Sequence, residues 1–269
     1  DVMVGFSMNI PFGTYRYTRR LEEEDIFNDN DGTGGTADFA YLDFSEGFES
    51  RMVGLNFRGG VSAQVSENIR VGLSIETPTW YSVSEDYDTA LYTEFDNGDA
   101  FEYGDDFEED AGRGSFDYNV QSPWRMEAGI AFQTGGFTLS GDLEFVDWSQ
   151  LELDSDTYAF SDENLAIRQA FESTTNVRIG AGYRFDNLEL RGGLAVNPDP
   201  RQNAEINRDR GTVGLGLSYF VNDQFAFDFG VMAEVFEDSY QPYREVANAP
   251  VVSEEVARSF FSIGVRVGL

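Results

Sequence analysis

Apolar and polar residues alternate one by one over most of this chain, the pattern of β-strands whose two faces meet different surroundings. In 52–65, Val53, Leu55, Phe57, Val61, Ala63 and Val65 share one face, and Met52, Gly54, Asn56, Arg58, Gly60, Ser62 and Gln64 share the other. In 225–235, Phe225, Phe227, Phe229, Val231, Ala233 and Val235 oppose Ala226, Asp228, Gly230, Met232 and Glu234. Ten such segments occur, at 2–12, 52–65, 69–77, 124–133, 137–149, 177–185, 188–196, 212–220, 225–235 and 261–269. Several reach the roughly 9–11 residues that a tilted strand needs to cross a bilayer.

A soluble sandwich also alternates, so the connections carry the distinction. Short turns at Ser66–Asn68, Thr134–Gly136, Asp186–Asn187 and Asn222–Asp223 alternate without exception with long connections at 19–49, 84–115, 152–174, 198–210 and 238–255. Outer-membrane barrels have this asymmetry, with long loops outside and tight turns on the periplasmic side. Charge placement agrees. The inward positions hold Arg58, Arg70, Arg125, Arg178, Arg184, Arg191 and Arg266 with Glu76, Glu127, Asp142, Glu144, Glu189, Asp228 and Glu234. The two signs balance, so a lumen can neutralise itself across strands, while the outward faces stay nearly free of charge. Phe132, Phe137, Tyr183, Phe185, Tyr219 and Phe225 flank the short turns on the outward side, as a lower aromatic girdle does.

Composition then narrows the chemistry. With no Cys and no His, disulfides, thiolate zinc sites, a Cys nucleophile and a histidine general base are all excluded. Lys is absent as well, so all 18 cationic side chains are Arg, against 49 acids and a formal net charge of −31. Such a surface excludes nucleic acid as a partner. It fits a protein of a salt-loving bacterium, with an acidic protein of an ordinary host as the alternative. No apolar run reaches 18 residues, so no transmembrane helix is expected, and DVMVGFSMNI is not a signal peptide. The chain is read as processed or cut. The acidic excess belongs to the long connections, since Glu85 to Asp110 alone holds twelve acids and no base.

Little of this is catalytic. Asp142 and Glu144 are expected to pair with lumen arginines, and Asp29-Asn30-Asp31-Gly32 lacks the ligand spacing of a calcium loop. A different group stands out. By parity Tyr15, Trp80, Val146, Trp148, Met232, Phe236 and Phe260 all point inward near the extracellular end. An inward apolar patch beneath long loops suits a pocket for a hydrophobic ligand; packing of a loop folded into the barrel mouth is the competing reading.

Several blocks resemble the FadL-type outer-membrane transport proteins. They are Thr77-Pro78, the run Gln121-Ser122-Pro123-Trp124-Arg125, and Val146-Asp147-Trp148-Ser149. Asn176 to Phe185 then runs into Leu190-Arg191-Gly192-Gly193 and Asn197-Pro198-Asp199-Pro200. The resemblance implies passage of long-chain fatty acids and other hydrophobic compounds into the wall of a fourteen-stranded barrel plugged by an N-terminal hatch. The hatch and the first strands have no counterpart here. An N-terminally incomplete copy is expected, and a ten-stranded relative is the alternative. Leu269 stands where an aromatic residue is usual.

The expectation is therefore an all-β, transmembrane, antiparallel up-and-down barrel forming one domain over 1–269, non-enzymatic and without a cofactor. It would sit as a monomer among outer-membrane lipids and pass hydrophobic molecules such as fatty acids, lipids or detergent. The other function class is a structural or adhesion barrel whose acidic loops bind a partner.

Overall fold

A computed structural model describes residues 1–26, 39–104, 108, 111–202, 208–222, 224–241 and 250–267. The strands are β1 (Val2–Asn9), β2 (Phe12–Glu24), β3 (Phe39–Gln64), β4 (Ile69–Glu76), β5 (Trp80–Phe95), β6 (Ala100–Gly104), β7 (Arg113–Gln121), β8 (Arg125–Thr134) and β9 (Phe137–Asp147). They continue as β10 (Glu152–Asp154), β11 (Ser173–Phe185), β12 (Leu188–Asn197), β13 (Arg210–Asn222), β14 (Phe225–Tyr240) and β15 (Val252–Val267). One helix, α1 (Ser161–Ala170), precedes β11. All pairings are antiparallel, and the backbone path runs β10-β7-β5-β3-β4-β8-β9-β11-β12-β13-β14-β15, with β1 and β2 on the other side of β3. Among the described residues β1 and β15 do not pair with each other, so the sheet is an open wall and not a closed ring.

Ten strands cross this wall, because β1 with β2, β4 with β5, and β7 with β8 are each one strand interrupted at a proline. Pro11, Pro78 and Pro123 fall at one level of the sheet; Pro11 and Pro78 flank the unbroken β3 near Gly54, and Pro123 lies one strand farther out. Proline brings no N–H to a ladder, and side chains take over the lost bonding there. The Thr77 hydroxyl accepts from Phe57 N at 3.1 Å, and Ser122 Oγ accepts from Thr79 N at 2.8 Å. Asn56, buried, donates to Thr79 Oγ1 at 2.7 Å and Glu76 Oε1 at 3.2 Å and accepts from Asn9 at 2.7 Å. This proline level is a crease. Below it lies the membrane wall; above it β2, the upper half of β3, β5, β6, β7 and β10 form a projecting sheet.

The wall obeys the parity of the sequence. Outward positions of β1, β4, β8, β11, β12 and β13 carry no Asp, Glu or Arg. Leu73, Leu194 and Leu215 are each about 60% exposed on that face, a sheet-wide apolar surface suited to lipid and not to water. Gly135, at φ 55°, and Asp186, at φ 51°, supply the left-handed turns between β8 and β9 and between β11 and β12. Around those turns Phe185, Leu188, Tyr219 and Phe227 stand in register on the outward side, joined by Tyr183 6.0 Å from Phe185.

The long connections differ from expectation. Much of 19–49 is strand, since β2 runs to Glu24 and β3 begins at Phe39, and β5 extends through 84–95. The segment 152–174 holds β10 and α1. These stretches read as loops because their polar face is rich in acids, but that face is tied together by cross-strand ion pairs. The Asp29-Asn30-Asp31-Gly32 segment and Leu269 lie outside the described residues.

Candidate ligand-binding site

The lumen face of the wall is ionic. Arg58 pairs with Glu127, whose carboxylate also accepts from Ser74 at 2.9 Å. Arg178 bridges Asp142 at 2.9 Å and the buried Glu144 at 3.4 Å. Farther round, Asp228 accepts from Ser218, from Arg266 at 3.1 Å and from Arg191 at 3.3 Å. Most of the balanced charges read from parity are thus cross-strand partners, whereas Arg70 bonds Gln64 and Arg184 lies over the Phe220 ring. Two more inward cations join them, Arg258 opposite Glu234 and Arg210 opposite Phe236 on the backbone register or across the ring.

Above the crease the polarity reverses. On β2, β3, β5 and β7 the face continuous with the lumen is dominated by Tyr15, Tyr17, Phe48, Met52, Val83, Phe116 and Tyr118, with Ser50, Glu85 and the Arg19–Glu46 pair among them. Phe48 lies 5.8 Å from Tyr15 and 5.4 Å from Tyr17, and Phe116 stacks on Tyr118 at 5.7 Å. The chain after β10 folds back over this face. Tyr158 and Phe160 meet edge-to-face at 4.9 Å, and Phe160 stands 6.0 Å from Phe116 and 6.1 Å from Tyr118. Asn164 of α1 holds the return, accepting from Leu153 N and donating to Leu153 O, both at 2.8 Å. Burial, with Glu85 alongside, pushes the Tyr118 phenol above its ordinary value. Tyr158 is raised by its hydrogen bond to Glu163.

The seven residues singled out by parity fall into separate groups. Tyr15 joins the aromatic face of the projecting sheet. Val146 is fully buried, paired with Arg125 and Thr174. Trp148 donates from its indole to Thr174 Oγ1 at 3.1 Å under the Arg125 guanidinium, 5.8 Å from the ring. Its neighbour Asp147 accepts from Ser149 N at 3.2 Å and from Ser149 Oγ at 2.6 Å, so the Val-Asp-Trp-Ser block is a strand-ending turn. Met232 and Phe260 oppose each other on β14 and β15, both half-exposed. Phe236 is buried, with Arg210 at 4.7 Å and Arg258 at 5.1 Å from its ring. Those two guanidinium contacts leave it as a support for cations more than as a bare apolar surface.

Trp80 departs from its expected orientation. Arg58 faces Glu76 across the ladder, but Leu55 faces Trp80, so three steps along β3 match four along its neighbour. The extra residue, at Thr77-Pro78-Thr79, exchanges the faces. Trp80 lies on the outward side with Leu55 and donates to Gln121 Oε1 at 3.0 Å. Tyr81 takes the inner side, where its ring covers Gly54 so closely that a Cβ there would lie 2.6 Å from it.

Parity reading also missed Phe48, Phe116, Tyr118, Tyr158 and Phe160. Phe44 with Phe48, and Phe116 with Tyr118, do keep period-two spacing. The many acids between them hid it.

A continuous antiparallel wall with an apolar exterior, an ionic lumen face and tight turns on one side defines an outer-membrane-type transmembrane β-barrel protein. Consistent with this, residues 33–253 match the family described as "Outer membrane protein transport protein (OMPP1/FadL/TodX)", and the chain belongs to that family, whose members are outer-membrane transport proteins. Among solved structures, the chain is similar to the toluene transporter TodX of P. putida, with 13% identity, 99% of this chain and 66% of that one covered, and a TM-score of 0.61. It is likewise similar to the CymD monoaromatic hydrocarbon channel (16% identity, 99% and 69% covered, TM-score 0.58). The Ralstonia pickettii toluene transporter TbuX gives 15% identity, 99% and 63% covered, and a TM-score of 0.53. The chain therefore spans about two thirds of the length of these proteins. No curated protein sequence matches it significantly.

Proposed function

We propose that this chain forms part of an outer-membrane channel for passive uptake of hydrophobic compounds, with fatty acids and small aromatic hydrocarbons as the candidate classes. The reading rests chiefly on the reversal of polarity at the crease. A water-filled pore would keep ionic groups along its whole inner face, whereas here an aromatic surface stands at the outer entrance. Ligand is caught on Phe48, Phe116, Tyr118 and Phe160 and passes to the mouth of the barrel beside Trp148, Met232 and Phe260. The toluene and monoaromatic transporters of the same fold support the substrate class, and the resemblance to FadL-type proteins supports fatty acids and passage through the wall.

Binding of a fluorescent fatty acid and of radiolabelled toluene by the purified protein tests it. Phe116→Ala with Phe160→Ala, and Trp148→Ala separately, are expected to weaken at least one ligand by roughly threefold to tenfold, the worth of an aromatic contact. Phe236→Ala is expected to act less directly, by freeing Arg210 and Arg258. Unchanged affinity for both ligands in all variants would sink the assignment.

A further inference from the structure

The arginines that face away from the lumen are gathered in one place. Among the described strand residues, outward-facing cations are Arg16 and Arg20 on β2, Arg51 on β3 and Arg113 on β7, all on the projecting sheet. Their depth is specific. Passing up β3 on the outward side, Phe57, Leu55 and Val53 are apolar, with Trp80 and Phe12 beside them, and Arg51 is the next outward residue. Two residues of strand rise by roughly 7 Å, and the polar layer of a bilayer adds roughly 5–8 Å beyond the hydrocarbon on each side. Arg51 thus reaches the layer of lipid phosphates, and Arg16, one row higher, stands at its outer limit.

The local chemistry suits an anion. Arg16 and Arg51 both bond Glu49, and Arg51 reaches Asp86 at 3.2 Å, yet their side chains remain 70% and 58% exposed. A cleft of about 740 Å³ gathers Arg16, Arg51 and Arg113 with Glu49, Asp86 and Asp88. Three cations and three acids balance within this cleft, while the rest of the same outward face carries Arg20 against Glu22, Glu24, Asp43 and Asp117. Half-exposed guanidinium groups such as those of Arg16 and Arg51 are the donors that phosphate oxygens accept. At the other end of the wall, by contrast, the outward face of β14 and β15 above Val235 presents Glu237 opposite Glu255.

We propose that the Arg16, Arg51 and Arg113 cleft, at the lower edge of the projecting sheet's outward face, is a docking site for the phosphate groups of anionic outer-leaflet lipids, with Arg51 and Arg16 as the principal donors. The occupant is a membrane lipid because the patch is continuous with the lipid-facing band through Trp80, Phe12 and Val53.

The test uses the full chain in nanodiscs of phosphatidylcholine containing a minor share of diphosphorylated lipid A, with lipid retained by the protein measured by native mass spectrometry. The wild-type protein is expected to enrich lipid A severalfold over its bulk share, and Arg16→Gln with Arg51→Gln to bring retention back to that share. Glu49→Gln, which removes the shared acid and leaves Arg51 only Asp86, is expected to raise retention about twofold or more. A heat-modifiability shift on gels reports that each variant is folded. Equal enrichment in all three proteins, or none in the wild type, overturns the proposal. So does loss of the lipid on addition of inorganic phosphate alone, which would identify a free-anion site.

Discussion

β3 passes through two regions of the molecule without interruption, and its two faces exchange character between them. Below the crease its outward side is Leu55, Phe57, Val61 and Ala63 and its inward side Asn56, Arg58 and Ser62. Above it the outward side carries Arg51, Glu49 and Asp43, and the inward side is mostly Met52, Phe48, Phe44 and Leu42, with Ser50 and Glu46 between them. The backbone and the alternation are the same; the surroundings are not. In the wall, lipid is outside and polar lumen inside, so charge must turn inward. In the projecting sheet the outside is headgroup and water, and the sheet keeps its apolar area for the inner side. A face that stays apolar along a whole strand would be right for only one of these regions.

Placing the same charge on the two outward faces should separate them most strongly. Leu73→Arg, in the middle of the lipid-facing wall, is expected to cost roughly 2–4 kcal/mol, while Ser84→Arg, outward on β5, should stay within about 0.5 kcal/mol. Urea unfolding from liposomes followed by tryptophan fluorescence measures both. Similar costs would mean that the projecting sheet also faces lipid.

A smaller effect is expected at the junction. Gly54→Val puts side-chain atoms where the Tyr81 ring and the Thr79 methyl now lie, 2.6 and 2.8 Å from a built Cβ. A destabilisation of roughly 1–3 kcal/mol should follow, with Gly54→Val/Tyr81→Ala recovering part of it. If the single variant unfolds like wild type, Tyr81 does not pack over the crease as described.

The smallest effect should appear on acidification. Arg20 holds the Asp43 carboxyl below its ordinary range, and Arg16 does the same for Glu49. Both groups bind protons less readily when folded, so their stabilisation is present at neutral pH and is lost as pH falls below about 4 through the folded values. Hydrogen exchange in 41–51 should therefore quicken near pH 3, with exchange in 57–63 of the same strand little changed. Parallel loosening of both segments would remove the distinction between them.

The local reading of the chain carried far in the wall and failed at the crease. Alternation located the ten crossing strands and the turns at Ser66–Asn68, Thr134–Gly136 and Asp186–Asn187. It also oriented Arg58, Glu127, Arg178 and Asp228, because a membrane allows one periodicity and one face for charge. It could not follow the strands into 12–24, 39–51 or 80–95, where acids on the outer side made the segments look like loops. Of the candidate site, it oriented Tyr15, Met232 and Phe260 toward the inner face but not Trp80.

What the amino-acid order determined by itself was the class of structure: strands of membrane-crossing length, a lipid-compatible exterior and a self-neutralising inner face. Tertiary structure alone decided which residues assemble above the membrane. One extra residue at Thr77-Pro78-Thr79 exchanged Trp80 for Tyr81, and the return of 155–160 brought Tyr158 and Phe160 against Phe116 and Tyr118. Both depend on contacts between segments distant in sequence. Period-two patterning reports only the relation of a residue to its own strand; where a register shifts or a loop folds back, only the pairing partner says which way a side chain faces.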